Sequence, residues 1–556
     1  MKQILADVSA ILNSREKIKL YRLIVFDLFI GLMDIAFLAA LLVVLNIYTK
    51  NAIPAQLSFL PNSWLNPGSL WLIAVFFILF SGKNIFAYMG LKSQHHFFYG
   101  VSSRLSKRNL LNYLSGDYGR FVAVDSSVQI RHISQQPIEF SHYILTNIQQ
   151  IVSQFILIFF TICAISFYHP TLFLLLFVLL LPPVVLLGWH IRRKLKSVRS
   201  QVKIASEKTL QHLHESLAGY IESNIYDKNE FFSGRYAAYQ QQLNENIATQ
   251  QTLQSLPPRL VEIFAVFGFL ILIAINKLSS SAPPVNILTI GVFMAAAYKI
   301  IPGIVKILNS SGQIKTYQFI LSDLLPDERS AKHHPVQKTT NTVNSVSIEN
   351  VGFKYKEQVI LKGLNVKINP GDFIGISGSS GKGKTTLVNI LLGFLQMDEG
   401  RICINNAVSG EEDRVLWRDR ISYVKQQPFL INDTILKNIS LSDYDYCQKG
   451  LESAISCSGV DQLLDNYQWG LDKMITESGK NISGGQRQRL MLARALYHDF
   501  DLLILDEPFS EMDQASESEI LRRLQCFTKQ GKMILFITHN KTSLGFCNKV
   551  ITFDEA

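Results

Sequence analysis

The chain has 556 residues, of which 48% are hydrophobic, and its 54 Lys and Arg against 44 Asp and Glu give a formal net charge of +10. This length leaves room for about three or four domain-sized units. A positive balance could indicate nucleic-acid binding, but most of the basic residues flank long apolar runs, which is typical of a membrane protein. We therefore expect no nucleic-acid partner.

Six apolar runs before residue 310 come close to the length of about 20 residues that a helix needs to cross a bilayer. They are 24–47, 70–88, 143–167, 171–191, 261–275 and 285–308. Lys and Arg cluster before the first run and in the loops after the second and the fourth, whereas the alternate loops hold only Lys50 and Lys277. Because cytoplasmic loops are enriched in basic residues, this pattern predicts six crossings with both termini in the cytoplasm.

The order of apolar, polar and mixed segments predicts the domains. Residues 1–20 have the apolar and basic pattern of an interfacial helix at the membrane surface. Residues 21–310 form the transmembrane domain, with long cytoplasmic helical extensions over 92–140 and 193–256, and the polar stretch 311–345 is a linker. Strands and helices alternate over 346–556, so the predicted fold is an all-α six-helix transmembrane domain followed by an α/β P-loop domain.

A glycine-rich loop in this last segment carries the first sign of chemistry. Residues 378–385 fit G-x-x-x-x-G-K-[ST] between a buried strand (373–376) and a helix (386–392). Such a loop wraps phosphates in backbone N–H groups at a helix N-terminus, which attracts anions. The predicted phosphate-binding residues are Gly378, Ser379, Ser380, Gly381, Lys382, Gly383, Lys384, Thr385 and Thr386.

A second buried strand, 502–505, ends in the carboxylates Asp506 and Glu507. Phosphoryl transfer needs Mg²⁺ near the β- and γ-phosphate oxygens and a group that orients the attacking water. We expect Asp506 to hold the metal together with the Thr385 hydroxyl, and Glu507 to orient the water. ATP and Mg²⁺ are the predicted cofactors.

The run Ile482-Ser483-Gly484-Gly485-Gln486 resembles the signature of ATP-binding-cassette (ABC) proteins, and the resemblance extends over 346–556 in the family's motif order. It implies that Tyr355 stacks on adenine, that Gln426 lies near Mg²⁺ as sensor and ligand, and that His539 contacts the γ-phosphate. It also places Asp513 in the D-loop, and it implies that Ser483, Gly484, Gly485 and Gln486 contact the nucleotide of a second cassette. Ile482, Lys425 and the pair Glu511-Met512 depart from the family's usual residues.

Six spans followed by one cassette resemble the half-transporter of an ABC exporter. One phosphate loop and one signature per chain imply a dimer, either a homodimer or a pair with a second half-transporter. Residues 114–121 and 219–222 fall where the family has its coupling helices. The resemblance implies an integral protein of the bacterial inner membrane with a cytoplasmic cassette.

Charges inside the predicted spans bear on the cargo, because each is costly in hydrocarbon. Asp27 and Asp34 share a face of the first span, and Lys299 and Lys306 repeat the spacing on the sixth. Either these residues pair internally, Asp27 with Lys306 or Lys299, or they line a cavity for a phosphate-bearing head group. Segments 258–262 and 295–303 resemble lipid-linked oligosaccharide flippases, so the predicted cargo is a lipid-linked or other amphipathic anion. The alternatives are a peptide or drug exporter and an ATP-gated channel or membrane sensor.

Overall fold

The computed structural model describes residues 2–50, 70–116, 118–168, 198, 200–278, 287–325, 342–379, 381–465, 469–476 and 479–553. The chain divides into two compact units. The helical unit contains Met1–Gly116 and Ala123–Ala331, and the cassette unit contains Asp117–Val122 and Lys332–Ala556.

The first part of the chain is helical throughout its described residues. The helices are α1 (Lys2–Ile11), α2 (Ser14–Lys50), α3 (Trp71–Leu114), α4 (Tyr118–Ala123), α5 (126–168), α6 (200–218), α7 (Tyr220–Ile225), α8 (Asn229–Leu278), α9 (Ile287–Thr316) and α10 (Phe319–Leu324). The helix α5 begins with the α-helical segment Ser126–Ile130 and ends with Thr146–Tyr168. Two stretches within α5, Arg131–Gln135 and Phe140–Leu145, are π-helical.

Three segments of the described residues are long and apolar enough to cross a membrane: Ser14–Leu41, Trp71–Leu114 and Ser126–Cys163. The first three predicted spans overlap these segments. The predicted fourth span, 171–191, lies outside the described residues. The fifth and sixth fall on α8 and α9, whose side chains are described only in part.

Two helices are long enough to form the predicted cytoplasmic extensions. The helix α3 has 44 residues and α8 has 50, each about twice what a bilayer requires. The short helices α4 and α7 lie at the two positions where coupling helices are expected, and α4 up to Val122 groups with the cassette unit.

The amino-terminal helix α1 packs into protein. Its residues Ile4, Val8 and Ile11 are buried in one core with Phe97 and Phe98 of α3 and with residues of α5, α9 and α10. This apolar face is covered by other helices, so it is not available for the predicted contact with the membrane surface. The predicted helix also divides at Asn13, whose backbone N–H donates to the side chain of Glu16 in the first turn of α2.

The predicted linker, 311–345, begins inside a helix. The sixth predicted span continues as α9 to Thr316, and α10 follows after a short turn. Ile320, Leu321 and Leu324 of α10 are buried in the same core as α1. The segment 326–341 lies outside the described residues.

The cassette unit contains two sheets. An antiparallel sheet has the strand order β2-β1-β4-β5, and a parallel sheet has the order β6-β7-β8-β3-β9. The strands are β1 (Val346–Tyr355), β2 (Gln358–Ile368), β3 (Phe373–Ser377), β4 (Glu399–Ile404), β5 (Ala407–Val408), β6 (Ile421–Val424), β7 (Leu502–Asp506), β8 (Met533–Ile537) and β9 (Lys549–Thr552).

Helices cover the parallel sheet, whose central strands β7 and β8 are buried at every position, as expected of parallel strands with both faces covered. The helices are α11 (Lys384–Leu391), α12 (Glu411–Trp417), α13 (Ile435–Ser440), α14 (Gln448–Ser458), α15 (Asp461–Leu464), α16 (Gly484–Tyr497), α17 (Gln514–Lys529) and α18 (Lys541–Leu544). The loops after β3, β6, β7 and β8 all leave the same edge of the sheet, which is where ligands bind in α/β folds.

Candidate nucleotide and cargo sites

The phosphate loop connects β3 to α11 as predicted. Gly381 and Gly383 have φ angles of +84° and +87°, a left-handed conformation that glycine adopts without strain. A Cβ on Gly383 would also lie 2.8 Å from Cγ2 of Ile360. The loop therefore needs glycine here both for its backbone conformation and for space, and Gly383 caps the start of α11.

Lys384 is folded back over this loop. Its Nζ donates to the carbonyl oxygens of Gly378 at 2.6 Å and Ser379 at 3.3 Å. The residue is buried, which holds its charge beside the loop amides. Ser380, one of the predicted phosphate-binding residues, lies outside the described part of the chain.

Asp506 lies at the carboxyl end of β7, buried beside the phosphate loop. Its Oδ2 accepts from Thr385 Oγ1 at 3.1 Å and from the Tyr423 hydroxyl at 3.3 Å. Burial raises the pKa of Asp506, since desolvation disfavours the charged form. The Thr385 hydroxyl and the Asp506 carboxylate are the oxygen ligands that Mg²⁺ prefers in nucleotide sites, where substrate phosphates complete the shell. These residues fit the predicted metal.

Tyr423 was not predicted to belong to the site. It lies on β6, next to β7 in the sheet, and burial, followed by the nearby Asp506 carboxylate, raises its pKa well above the usual range. The phenol therefore stays protonated and donates to Asp506. Its position in the strand before Gln426 is the signal from which the contact could have been found.

The other predicted catalytic residues lie around the carboxylate of Glu507. Its Oε2 accepts from Gln426 Nε2 at 2.8 Å, while its Oε1 lies 3.7 Å from Nδ1 of His539 and 4.0 Å from Nζ of Lys384. Its φ of +47° is unusual for a residue with a side chain, and its backbone N–H donates to Ile537 O at 3.0 Å. The strand end thus holds the carboxylate in a strained, fixed orientation among the residues predicted from the sequence.

Tyr355 ends β1 with a half-exposed ring, as a residue that stacks on a base must be. The ring lies edge-on to Phe353, with centroids 4.8 Å apart. In the same unit, the ring of Tyr118 from α4 lies 5.3 Å from that of Phe394.

The signature lies at the start of α16, where Ser483 and Gln486 form a reciprocal cap. The Ser483 N–H donates to Gln486 Oε1 at 2.9 Å, and the Gln486 N–H donates to Ser483 Oγ at 3.3 Å. The Ser483 side chain and backbone N–H are thus both engaged in this cap. The signature is thereby preformed as a helix N-terminus, a site that favours anions.

The unusual D-loop residue Glu511 lies against this signature. Its Oε2 is 3.0 Å from Arg487 Nη2, and a Cβ on Gly484 would lie 1.6 Å from the same oxygen. The Gln488 side chain adds hydrogen bonds to Ser510 Oγ and to the Glu511 N–H. The D-loop is therefore fixed to the signature helix of its own chain.

The other end of the D-loop leads to the segment that follows His539. Asp513 caps α17 by accepting from Ser516 N–H at 2.8 Å, and this hydrogen bond lowers the pKa of Asp513. Glu517, one turn further, is buried and accepts hydrogen bonds from the side chains of Asn540 and Ser543. Asn540 directly follows His539 and caps α18, and Ser543 lies within that helix. The sequence analysis missed Glu517, although its position four residues after Asp513 places it in the first turn of the helix.

The intramembrane carboxylates have partners other than those predicted. Asp27 accepts from Gln94 Nε2 at 2.7 Å, Gln149 Nε2 at 2.8 Å and Ser153 Oγ at 2.9 Å, so no Lys on α9 is needed to satisfy it. Asp34 forms an ion pair with Lys83 of α3. Lys83 lies inside the second predicted span but was not among the charged residues predicted to matter there.

Of the two lysines predicted to matter on the sixth span, Lys299 and Lys306, the structure describes the side chain of Lys306. The Lys306 side chain is exposed on α9 and forms no hydrogen bond or ion pair with a described residue. The Lys299 side chain lies outside the described part. Polar side chains of α5 contact α9: Asn147 Nδ2 donates to Gln313 Oε1 at 2.7 Å, and Ser310 Oγ donates to Gln150 Oε1 at 3.1 Å.

One domain therefore carries a phosphate loop, a carboxylate pair at a strand end, a sensor glutamine, a histidine after the neighbouring strand and a signature helix. Together these features define an ATP-binding cassette. Residues 361–510 match the family described as ABC transporter. This match covers the cassette, and the whole chain is similar to half-transporters of the exporter type.

Proteins similar to this chain are named as ABC transporters, flippases or exporters. A probable ABC transporter ATP-binding/permease protein of Haemophilus influenzae is 31% identical over 42% of this chain and 42% of its own length, so the chain spans less than half of that relative. An ATP-dependent lipid A-core flippase of Colwellia psychrerythraea is 24% identical over 97% of this chain and 91% of its own. The fold matches that of a bacterial Atm1-family ABC exporter solved with ATP bound, with a TM-score of 0.79, 18% identity, and coverage of 96% of this chain and 93% of that chain.

Proposed function

We propose that the chain acts as a homodimeric exporter or flippase of the bacterial inner membrane, which couples hydrolysis of Mg²⁺-ATP to movement of an amphipathic, anionic, lipid-linked cargo. The observation that carries the proposal is the convergence of Gln426, His539 and Lys384 on the Glu507 carboxylate. This carboxylate would orient the attacking water, and the Thr385 and Asp506 oxygens would hold Mg²⁺ at the phosphates.

A homodimer is supported by the complete set of motifs on one chain. The Ser483 cap is made within its own helix and leaves the N-terminal amides of Gly484 and Gly485 directed along the helix start. A second copy would present this helix start to the γ-phosphate held by the first. Two identical chains would then form two equal sites. A second half-transporter as the partner is the alternative.

The partners of the charged residues in the predicted spans support an anionic cargo. Lys83 neutralises Asp34, and three neutral donors satisfy Asp27. Lys306, in contrast, is exposed and has no described partner. Lys306 is thus a cation that could bind a phosphate or pyrophosphate head group.

The test is ATP-driven transport by the purified protein in proteoliposomes. We expect movement of a fluorescent polyprenyl-pyrophosphate glycan or another anionic amphiphile to exceed that of a zwitterionic one. The variant Lys306→Ala should slow transport of the anionic probe, and the matched variant Lys92→Ala, which removes an exposed lysine outside the predicted spans, should not. Assembly of both variants is checked by gel filtration and by Mg²⁺-ATP binding.

The alternatives give different results in the same assay. Preferential transport of peptides or hydrophobic cations, with Lys306→Ala and Lys92→Ala equally active, would contradict the anionic cargo. An ATP-gated channel would dissipate a gradient of the probe without accumulating it against one. Full ATPase activity from a protein that stays monomeric in nanodiscs would contradict the shared catalytic sites.

A further inference from the structure

A groove with a basic rim lies between the amino-terminal part of α2 and the middle of α3, about 590 Å³ in volume, within the range typical of small-molecule sites. We call it the basic groove. Its polar lining includes Arg15, Lys19 and Arg22, and its apolar lining includes Phe26, Phe86 and Met89.

The sequence builds one wall of this groove from a single helical stripe. Arg15, Lys19, Arg22 and Phe26 are spaced by four, three and four residues, so they share one face of α2. Phe86, Met89, Gly90 and Ser93 are spaced by three, one and three residues and form the facing stripe of α3. The groove is therefore a consequence of two regular helices packed side by side.

The apolar end of the groove is formed by close contact of aromatic rings. The rings of Phe26 and Phe86 have centroids 5.1 Å apart. A Cβ on Gly90 would lie 2.1 Å from Cε1 of Phe26, so the glycine lets the ring lie directly on the α3 backbone. Phe86 and Met89 remain exposed at 48% and 61%, which leaves an apolar surface open at the predicted membrane boundary.

The basic end has no described counter-ion. Arg15, Lys19 and Arg22 are exposed, and none of them forms an ion pair with a described carboxylate. The nearest acidic neighbour in sequence, Glu16, is bound by both Nε and Nη2 of Arg104 at 2.6 and 2.8 Å. Lys19 Nζ lies 5.4 Å from the ring centroid of Phe97, a contact that leaves its charge uncompensated.

We propose that the basic groove binds an acidic phospholipid of the cytoplasmic leaflet, with the lipid phosphate between Arg15, Lys19 and Arg22 and the upper acyl chain against Phe26, Phe86 and Met89. The predicted first span begins at residue 24, so the basic residues lie at head-group level and Phe26 lies at the edge of the hydrocarbon. Basic pockets between helices on the cytoplasmic side are the chemistry that recognises anionic head groups. A soluble phosphate would gain nothing from the apolar end, so the structure assigns the site to a lipid.

The test measures binding of phosphatidylglycerol to the full-length, delipidated protein in detergent by native mass spectrometry, with phosphatidylcholine as the reference lipid. We expect the double variant Lys19→Gln/Arg22→Gln to weaken the first phosphatidylglycerol adduct by about tenfold or more, at the usual strength of basic residues near an anionic surface. The matched double variant Lys17→Gln/Lys107→Gln removes two exposed lysines that do not line the groove, and should bind as the parent protein does.

A misfolded variant is recognised by gel filtration, and Arg15→Gln alone then gives the milder test, with about a fivefold loss expected. Equal loss of binding in the groove variants and the matched control would overturn the proposal. So would a preference for phosphatidylcholine in the parent protein. Binding of soluble glycerol phosphate as tightly as of the whole lipid would also overturn it, because the groove would then be a site for a free anion.

Discussion

The side-chain amide of Gln426 donates a hydrogen bond to Glu507 Oε2 at 2.8 Å. This contact joins the residue that resembles the family's sensor to the carboxylate that would orient water. A movement of the loop after β6 would therefore shift the Glu507 carboxylate through this one hydrogen bond.

Replacing Glu507 with Gln should lower kcat for ATP hydrolysis by about 10² to 10⁴, the usual contribution of a positioned acid–base group. ATP binding should persist, because Lys384 and the loop amides are unchanged. The measurements are phosphate release under saturating ATP and binding of labelled nucleotide. Hydrolysis within a few fold of the parent protein would contradict the assigned role.

Replacing Tyr423 with Phe removes only the hydroxyl that donates to Asp506 at 3.3 Å. Because Asp506 would then be less well oriented, the Mg²⁺ concentration that gives half-maximal ATPase activity should rise several-fold, by about the 1 kcal/mol of a typical hydrogen bond. The affinity for ATP without metal should not change. Tyr497→Phe is the control, since that hydroxyl accepts from the Cys447 N–H away from the site; an equal shift in both variants would reject the prediction.

Replacing Glu511 with Ala should lower the KM for ATP. The carboxylate lies beside Gly484 and neutralises Arg487, so its removal leaves a positive charge next to the helix start that would bind a partner's γ-phosphate. Arg487→Ala should have the opposite effect, because it leaves the carboxylate unpaired at the same place. The two KM values, measured at one salt concentration, should lie on opposite sides of the parent value.

Replacing Lys83 with Met should destabilise the helical unit by up to about 3 kcal/mol, because the partly buried Asp34 carboxylate loses its ion pair with the buried Lys83. The double variant Lys83→Met/Asp34→Asn should recover most of this loss, since no uncompensated charge remains. Thermal unfolding in detergent, followed for both variants, provides the measurement. A double variant as unstable as the single one would show that Lys83 acts through packing alone.

The sequence predicted the cassette almost completely because its chemistry depends on short motifs. Gly383 must adopt a positive φ, and Asp506 and Glu507 must follow a buried strand, so local pattern and function coincide. Contacts between distant segments leave no such pattern. The pairing of Asp34 with Lys83 joins residues 49 positions apart, and the hydrogen bond from Tyr423 to Asp506 depends on which strands are neighbours in the sheet.

The amino-terminal helix shows what a local pattern leaves open. Ile4, Val8 and Ile11 have the periodicity of any amphipathic helix, which indicates that one face is covered but not by what. Lipid and protein satisfy the pattern equally well. The covering partners, Phe97 and the residues of α10, come from parts of the chain that the local sequence does not reveal.

The shared core of α1 and α10 ties the beginning of the chain to the last helix before the cassette. Trimming the first dozen residues would remove Ile4, Val8, Ile11 and Leu12 from this core and leave Ile320, Leu321 and Leu324 less well covered. A purification tag placed directly before Lys2 would be attached at the start of the helix that contributes to this core. For protein engineering, α1 should therefore be kept intact as part of the core of the helical unit.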